Sequence, residues 1–567
     1  MLLPAYDLSW YEFDEENDVK NYEVLLCDVV HGKPAMKPLY LSTSWFWYLQ
    51  GFRYAAETLQ VPTTRGWDSR FINGYPYITA IRTTEEEAKA REPVFREKIK
   101  PFIEDFDGIW NSYKAKLLGM YQAARDEYGL KEWEDIKKIR NIELQSFYLD
   151  FTYNIAREEA KIHMMMLEPA FYLHGLFQQM WQEIFGVEAP IDPAFNKLMS
   201  GFESQDIKVN RELWQLAKKA VEMGLEDVFR VKDNDEVLKN LEKSHEGSRW
   251  LQEFRDFLNE HGWRTERMWA YDTPTWLEKP ALAIVPIKML MAQESLSSDT
   301  ERDRLVAERE KTEQEVLSKI PLEQREWFAA LMKAAQYAGF WSEDHGYYCD
   351  FYVSSMGRWI SAEYGRRFAA AGCIDDPDDV YFLTPNEIRK AGVPMGKINL
   401  RPYVERRKAA WEKNVNLEPA PFYGDISKAQ DILRSDPTLS VSAQLPIVRE
   451  ELKADLYGAA AAPGTIEGVA RLIMDADQLP ELKEGEILVA PGTSSAWTVA
   501  FGAISGLITD GGGALSHPVI MSREYGIPCV AGCLEATQKI KTGQRVKIDG
   551  NLGVVYILNQ DIASTSP

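Results

Sequence analysis

Cysteine is scarce. Five thiols, Cys27, Cys349, Cys373, Cys529 and Cys533, are spread over 567 residues. An odd number at wide spacing excludes a disulfide framework and fits a reducing compartment, so the chain is expected in the cytoplasm. Cys529-x-x-x-Cys533 has no second Cys or His pair near it, and no metal site is expected. Basic residues are in deficit: 65 Lys and Arg against 87 Asp and Glu leave a net charge of −22. That excludes a generic nucleic-acid binder, which needs clustered cations against phosphate. Long apolar runs are missing as well. "PALAIVPIKMLMA" and "WTVAFGAISGLI" are too short and too interrupted to span a bilayer, and "MLLPAYDLSWYEF" lacks the basic start of a signal peptide. No membrane partner is expected. Residues 1–440 contain no P-loop, no G-x-G-x-x-G turn after a strand and no βα alternation suited to a barrel. The chain shows no internal repeat and no low-complexity tract.

What is present falls into two textures, and the expected fold is multidomain. Residues 1–440 are rich in Trp, Tyr, Phe, Glu and Lys, and their 3.6-residue periodicity predicts helices near 95–128, 145–185, 210–225, 236–260, 300–318, 322–340 and 349–372. The stripe "HMMMLEPAFYLHGLFQQMWQEIF" reads as helix-on-helix packing. From residue 455 the texture changes. Short runs such as "GVARLIMD", "EILVAPG", "GLITDG", "IPCVAG", "RVKIDG" and "GVVYIL" alternate with turn residues. They predict strands, with short helices near 495–504 and 518–525. The sequence thus divides into a mainly helical domain, 1–440, a linker, 441–454, and a compact α/β module, 455–567. The join, with its Pro, Ser and Ala run, would let the module move.

The stretch "TDGGGALSHP", Thr509–Pro518, joins a strand to a helix. Gly511, Gly512 and Gly513 allow positive φ and close approach of backbone to a ligand. Pro518 suits a first helical position, which places His517 at the N-cap. There a phosphoryl group on the imidazole would meet the positive end of the helix dipole, the glycine turn and Ser516, with Arg523 less than two turns on. A plain capping turn fits the same residues.

Resemblance separates the two readings. "TDGGGALSHPVIMSREYGIPCVAG", with "GQRVKIDGNLGVVYIL" after it and "APGTIEGVARLIMDADQLPELKEGEILVAPGTSSAWTVAF" before it, resembles the mobile phosphohistidine domain of the phosphoenolpyruvate-utilising enzymes. The family includes phosphoenolpyruvate synthase, pyruvate phosphate dikinase, rifampicin phosphotransferases and phenylphosphate synthase. The resemblance implies that His517 is phosphorylated and that its α/β domain swivels between two sites. Pro518 departs from the family's common alanine. Since 1–440 shows no donor domain, the donor is expected on a separate ATP-grasp subunit holding Mg2+ and ATP and releasing AMP and phosphate.

The front part resembles acceptor domains. "PLYLSTSWFWYLQGFRYAAETLQVPTTRGWDSRFINGYPYI" is similar to the phosphohistidine-bearing subunit of phenylphosphate synthase. "FLNEHGWRTERMWAYDTPTWLEKP" and "EDHGYYCDFYVSSMGRWISAEYGRR" are similar to the substrate domain of rifampicin phosphotransferases. There those enzymes carry Arg-Glu-x-x-Lys, and this chain has Ser342-Glu343-Asp344-His345-Gly346. The glutamate is kept and both basic residues are gone. Taking a hydroxyl proton needs a base. His345 is expected first and Glu343 second, with a surface helix-start histidine as the plain alternative for His345. His261 and Arg264 are candidates for the acceptor site or a phosphate clamp, against an Arg264–Glu266 ion pair. Trp45, Trp47, Trp67, Phe71, Tyr75 and Tyr77 form an aromatic group that either walls an aryl pocket or fills a core. His31, His163, His174 and His245 read as structural. The leading expectation is a phosphotransferase subunit acting on a phenol or other aromatic hydroxyl. The alternatives are an antibiotic or alkyl-alcohol phosphotransferase of the rifampicin type, and a non-catalytic phosphocarrier or regulator.

Overall fold

The computed structural model describes residues 20–558 apart from 21, 33, 269, 292–296, 437–438, 440–447 and 449. Most of the expected linker 441–454 lies outside them. Two compact units result: Met1–Pro169 with Gly262–Lys279 and His345–Leu439, and Ala170–His261 with Pro280–Asp344 and Ser440–Pro567. Among the described residues no helix is long and apolar enough to cross a membrane. The expected fold class, helices in front and an α/β module behind, is what the chain adopts.

The first unit is mostly helical. Its longest helical run, Glu85–Glu127, opens with a capping box between Thr84 and Glu87. It breaks at Asp105, whose φ of −154° and ψ of 64° are not helical. Asp105 Oδ1 accepts from Gly108 N at 3.0 Å, so this residue caps a second helix abutting the first. Three π-helical turns interrupt other helices, at Leu41–Trp45, Phe151–Ile155 and Gly346–Phe351. The second of them splits the helix expected at 145–185 into Asn141–Asp150 and Ala156–Phe185.

A four-stranded antiparallel sheet was not expected here. It runs Thr64–Ile72, Tyr75–Arg82, Val24–Cys27, Phe422–Gly424. Asn73 and Gly74 turn the hairpin with φ of 57° and 82°, the left-handed pair that matches strand twist. The aromatic group fills its core. Trp67 stacks on Phe52 with ring centres 3.7 Å apart. Trp45 packs edge-on against Phe71 and donates to Ser69 Oγ at 3.4 Å. The buried hydroxyls of Tyr75 and Tyr77 donate to Leu417 O and Ala420 O, each at 2.7 Å.

The second unit combines helices with the α/β module. The helix expected at 236–260 is two, Asn234–Leu241 and His245–His261, because Ser244 Oγ accepts from Gly247 N and starts a new one. The module's sheet has eight strands. Thr465–Leu472, Ile487–Ala490, Gly506–Thr509 and Cys529–Ala531 run parallel at its centre. The last three are buried throughout, as parallel strands covered on both faces are. Arg545–Asp549 and Val554–Leu558 pair antiparallel beside them. The alanine run Ala459–Ala462 is an edge strand antiparallel to Cys529–Ala531, and Leu456–Tyr457 is the opposite edge. Gly458 alone separates these two edges in sequence. Eight strands laid flat would hold their edges about 33 Å apart, whereas a one-residue link holds its neighbours within about 7 Å. The sheet is therefore rolled until its two edge strands adjoin at Gly458.

Candidate active site

The glycine turn follows the central strand Gly506–Thr509. Asp510 anchors it: its Oδ1 accepts from Thr537 N at 2.9 Å and its Oδ2 from the Thr537 hydroxyl. Gly512 has φ of +115°, and a Cβ there would lie 2.8 Å from Ser516 Oγ. Conformation and space both demand glycine at this position. Thr509 Oγ1 donates to Gly511 O, and Ser516 Oγ donates to Gly513 O, each at 2.7 Å. The helix His517–Glu524 starts one residue earlier than expected. Ser516, with φ of −81° and ψ of 155°, is the N-cap, His517 is the first helical residue and Pro518 the second. Proline's ring disfavours helical geometry in the residue before it but does not forbid it.

His517 is held at both nitrogens. Thr493 Oγ1 lies 2.7 Å from Nδ1 and Thr498 Oγ1 3.3 Å from Nε2. Phe501 packs edge-on against the ring. Nε2 also faces two carboxylates, Glu343 Oε1 at 3.4 Å and Asp206 Oδ2 at 3.9 Å. Glu343 comes from the last turn of the helix Leu322–His345, and Asp206 is the second residue of the helix Gln205–Glu222. The first turn of that helix is fixed by Ser204 Oγ on Ile207 N and by Asp344 Oδ1 on Gln205 N. Nδ1 thus faces Thr493 alone, and Nε2 faces Thr498 and the Glu343 and Asp206 carboxylates.

Side chains of the module's helix seat it on the helical segment of the same unit. Glu524 accepts from Gly201 N at 2.9 Å and Phe202 N at 3.0 Å, and Tyr525 Oη accepts from Asn210 Nδ2 at 2.8 Å. Ser342, the first residue of the altered motif, donates to Leu515 O at 2.8 Å. Burial pushes the Glu524 carboxyl up to about 8, with the two amides and Arg309 pulling the other way. A cavity beside Glu343, lined by Met199, Phe202, Gly339, Leu515 and Glu524, holds about 10 Å³. That is room for about one water.

The other expected site residues make contacts of their own, Arg523 and His261 within the second unit and the rest within the first. Arg523 stands six positions beyond His517, about 240° round the helix. It is buried, its Nε donates to Ala461 O and its Nη1 to Ala514 O, and burial pulls it down to about 10. His261 Nε2 lies 3.0 Å from Glu212 Oε2, within the second unit. In the first unit Arg264 faces the ring of Phe351 at 5.3 Å, and Trp45, Trp67 and Tyr75 belong to the sheet core described above. His345, also in the first unit, has Nε2 3.8 Å from Asp350 Oδ2. Thr493, Thr498 and Asp206 were not anticipated. The threonines stand in "PGTSSAWT" without a signal of their own, and only tertiary packing brings Asp206 to the histidine.

Residues 482–553 match the family model of the PEP-utilising enzyme mobile domain, and residues 163–341 that of the rifampicin phosphotransferase fourth domain. The chain thus joins a region similar to the PEP-utilising mobile domain to one similar to a rifampicin phosphotransferase domain. Among its relatives is chondramide synthase cmdD of Chondromyces crocatus. It is 26% identical over 547 residues, covering 94% of this chain and 14% of the synthase. The uncharacterized phosphotransferase YvkC of Bacillus subtilis (strain 168) is 26% identical over 425 residues, 74% of this chain and 48% of YvkC. The rifampicin phosphotransferase of the same strain is 29% identical over 338 residues, 58% of this chain and 36% of the enzyme. The chain thus spans half or less of each of these relatives.

Proposed function

We propose that this chain is the phosphohistidine-bearing and acceptor-binding part of a phosphotransferase that moves a phosphoryl group onto a hydroxyl of a small molecule. The observation that carries the reading is His517 with Nδ1 on Thr493 and Nε2 3.4 Å from the Glu343 carboxylate. The named relatives favour the acceptor first taken as the alternative, a hydroxyl of the rifampicin type, over the phenol. The phenol remains a second reading, on the likeness of "PLYLSTSWFWYLQGF" to phenylphosphate synthase.

In this proposal Nδ1–H donates a hydrogen bond to Thr493 Oγ1, and once Nε2 has left Thr498 and the carboxylates its lone pair is the nucleophile. His517 Nε2 attacks the phosphorus of the donor, an N–P bond forms and the donor's P–O bond breaks. In the second step the acceptor oxygen attacks phosphorus, the N–P electron pair returns to Nε2, and Glu343 takes the hydroxyl proton. An alkyl hydroxyl is far less acidic than a phenol, whose pKa is about 10. A carboxylate beside the reacting nitrogen therefore suits the alkyl acceptor. The donor is proposed to be ATP with Mg2+, bound outside these 567 residues, on a separate ATP-grasp subunit or on further sequence such as the longer relatives possess. Residues 455–567 are proposed to move as a body on the 441–454 tether, with 1–440 binding the acceptor. The single-water cavity beside Glu343 supports such motion, because an acceptor cannot enter while the module is seated.

The test uses protein phosphorylated chemically with phosphoramidate and offered rifampicin, simple alkyl alcohols and phenols. Phosphate is expected on His517 and then on an acceptor oxygen. Glu343→Gln is expected to accept phosphate normally and to transfer it about 100- to 10,000-fold more slowly. Phosphohistidine that only hydrolyses, at one rate with every acceptor, would make the chain a carrier and sink the proposal.

A further inference from the structure

A second group of buried side chains lies within the first unit and has no part in the chemistry above. Glu159 and His163 stand one turn apart on the helix Ala156–Phe185, with Glu159 Oε1 3.2 Å from His163 Nδ1. His163 Nδ1 is 3.9 Å from Asp350 Oδ1, and Asp350 Oδ2 is 3.8 Å from His345 Nε2. The two imidazole ring centres are 4.8 Å apart. Asp350 sits in the π-helical turn Gly346–Phe351, and such turns within helices are frequent at functional sites.

The carboxylates are under-satisfied. Glu159 and Asp350 are each 1% exposed. Tyr48 donates to Asp350 Oδ1 at 2.7 Å, but Asp350 Oδ2 and Glu159 Oε2 are buried without a hydrogen-bond partner. Among the described residues no lysine or arginine pairs with either. Two buried carboxyls with open oxygens, aimed at two imidazoles and lacking a cation, are costly unless something completes them.

We propose that His163, His345 and Asp350, whose donor atoms all lie within 4.8 Å of one another, bind one first-row divalent metal ion of the zinc class, with Glu159 held against His163 beside them. The donor types decide the class: two imidazoles and a carboxylate suit zinc and its neighbours, while magnesium and calcium prefer oxygen alone. Ligands at about 2.1 Å from an ion lie roughly 3–3.4 Å from one another, and here Asp350 stands 3.9 Å from His163 Nδ1 and 3.8 Å from His345 Nε2, so the three need close by only roughly a few tenths of an ångström on binding. Helical proteins build such centres from carboxylates and histidines on facing helices. The His345 side chain is 20% exposed, which gives an entry path.

The experiment is metal removal by chelator from the full chain, then titration with Co2+ followed by its visible absorption and with Zn2+ by calorimetry. One ion per chain is expected, with a Co2+ band of low-symmetry nitrogen and oxygen coordination. His163→Ala and Asp350→Asn should each weaken binding by roughly 100-fold or more. His517→Ala should keep the ion, which separates this nest from the Asp206–Glu343–His517 cluster. Wild-type protein that takes up no Co2+ or Zn2+ at 0.1 mM (on the order of weak adventitious binding) overturns the proposal, as does uptake that both variants retain. If the variants do not fold, the wild-type Co2+ spectrum decides: the weak octahedral spectrum of the hydrated ion counts against the site.

Discussion

Glu524 is the strongest polar link between the module and the turn at Gly201 and Phe202. Glu524→Ala removes the acceptor from the buried amide of Gly201 and the half-buried amide of Phe202. Each stranded amide costs about 1–3 kcal/mol. The seated state should therefore lose about 2–6 kcal/mol, a factor of at least ~30 in the seating equilibrium. When the module lifts, water satisfies both amides, so the loss falls on seating and not on the fold of either part. Native-state hydrogen exchange reads this directly. The amides of Gly201 and Phe202 should exchange at least ~30-fold faster in the variant. Those of the central strand Ile487–Ala490 should keep their protection. Unchanged exchange at Gly201 and Phe202 would refute the reasoning. Loss of protection in the strand to the same extent would also refute it, because that is unfolding.

The remaining predictions concern titration, the histidine's orientation and the core. The Glu524 carboxyl is raised from 4.5 to about 8 when seated. Between those values the seated state binds more protons than the lifted one, so seating should weaken as pH rises through that window and level off above it. Exchange at Gly201 and Phe202, corrected for intrinsic rates, measures this, and seating that strengthens with pH would contradict it. Thr493→Val should slow phosphorylation of His517 by phosphoramidate about 10–100-fold, by analogy with orienting partners of metal-bound imidazoles; an unchanged rate would mean that Thr493 does not set the ring. Trp67→Ala should destabilise the first unit by about 3–5 kcal/mol through loss of the stack on Phe52. Urea unfolding checks it, and a loss under about 1 kcal/mol would show that the stack is incidental.

The module was the most legible part of the sequence. Its central strands are short apolar runs closed by Gly, Pro or Asp, and each run quoted above contains an observed strand. The histidine turn was legible because glycines, histidine and proline stand at a strand-to-helix join. The alanine run Ala459–Ala462 was not read as a strand, since alanine carries no β preference and pairing with Cys529–Ala531 is a tertiary event. The hairpin Thr64–Arg82 was overlooked although Asn73-Gly74 marks its turn. Tyr75–Ala80 is buried on both faces, so the alternation that betrays a strand is missing. The π-helical turns have no sequence signature. At the candidate site, Glu343 is visible through its motif, whereas Asp206 lies 311 positions before His517 and meets it only after folding. Glu159-x-x-x-His163 was visible as a spacing, but the sequence does not show that Asp350 closes on it.

The rolled sheet, joined through Gly458, also bears on solubility. An open sheet ends in rows of unpaired amides and carbonyls, which capture strands from other chains. A module that swivels, as proposed above, would expose such rows repeatedly at cellular protein concentrations. Here both edge strands are short, two residues in Leu456–Tyr457 and four in Ala459–Ala462, and they adjoin at Gly458, so the rows they can offer another chain are short. Opening the junction, for instance by extending the Gly458 link with several flexible residues, should therefore leave the fold recognisable and make the lifted module self-associate.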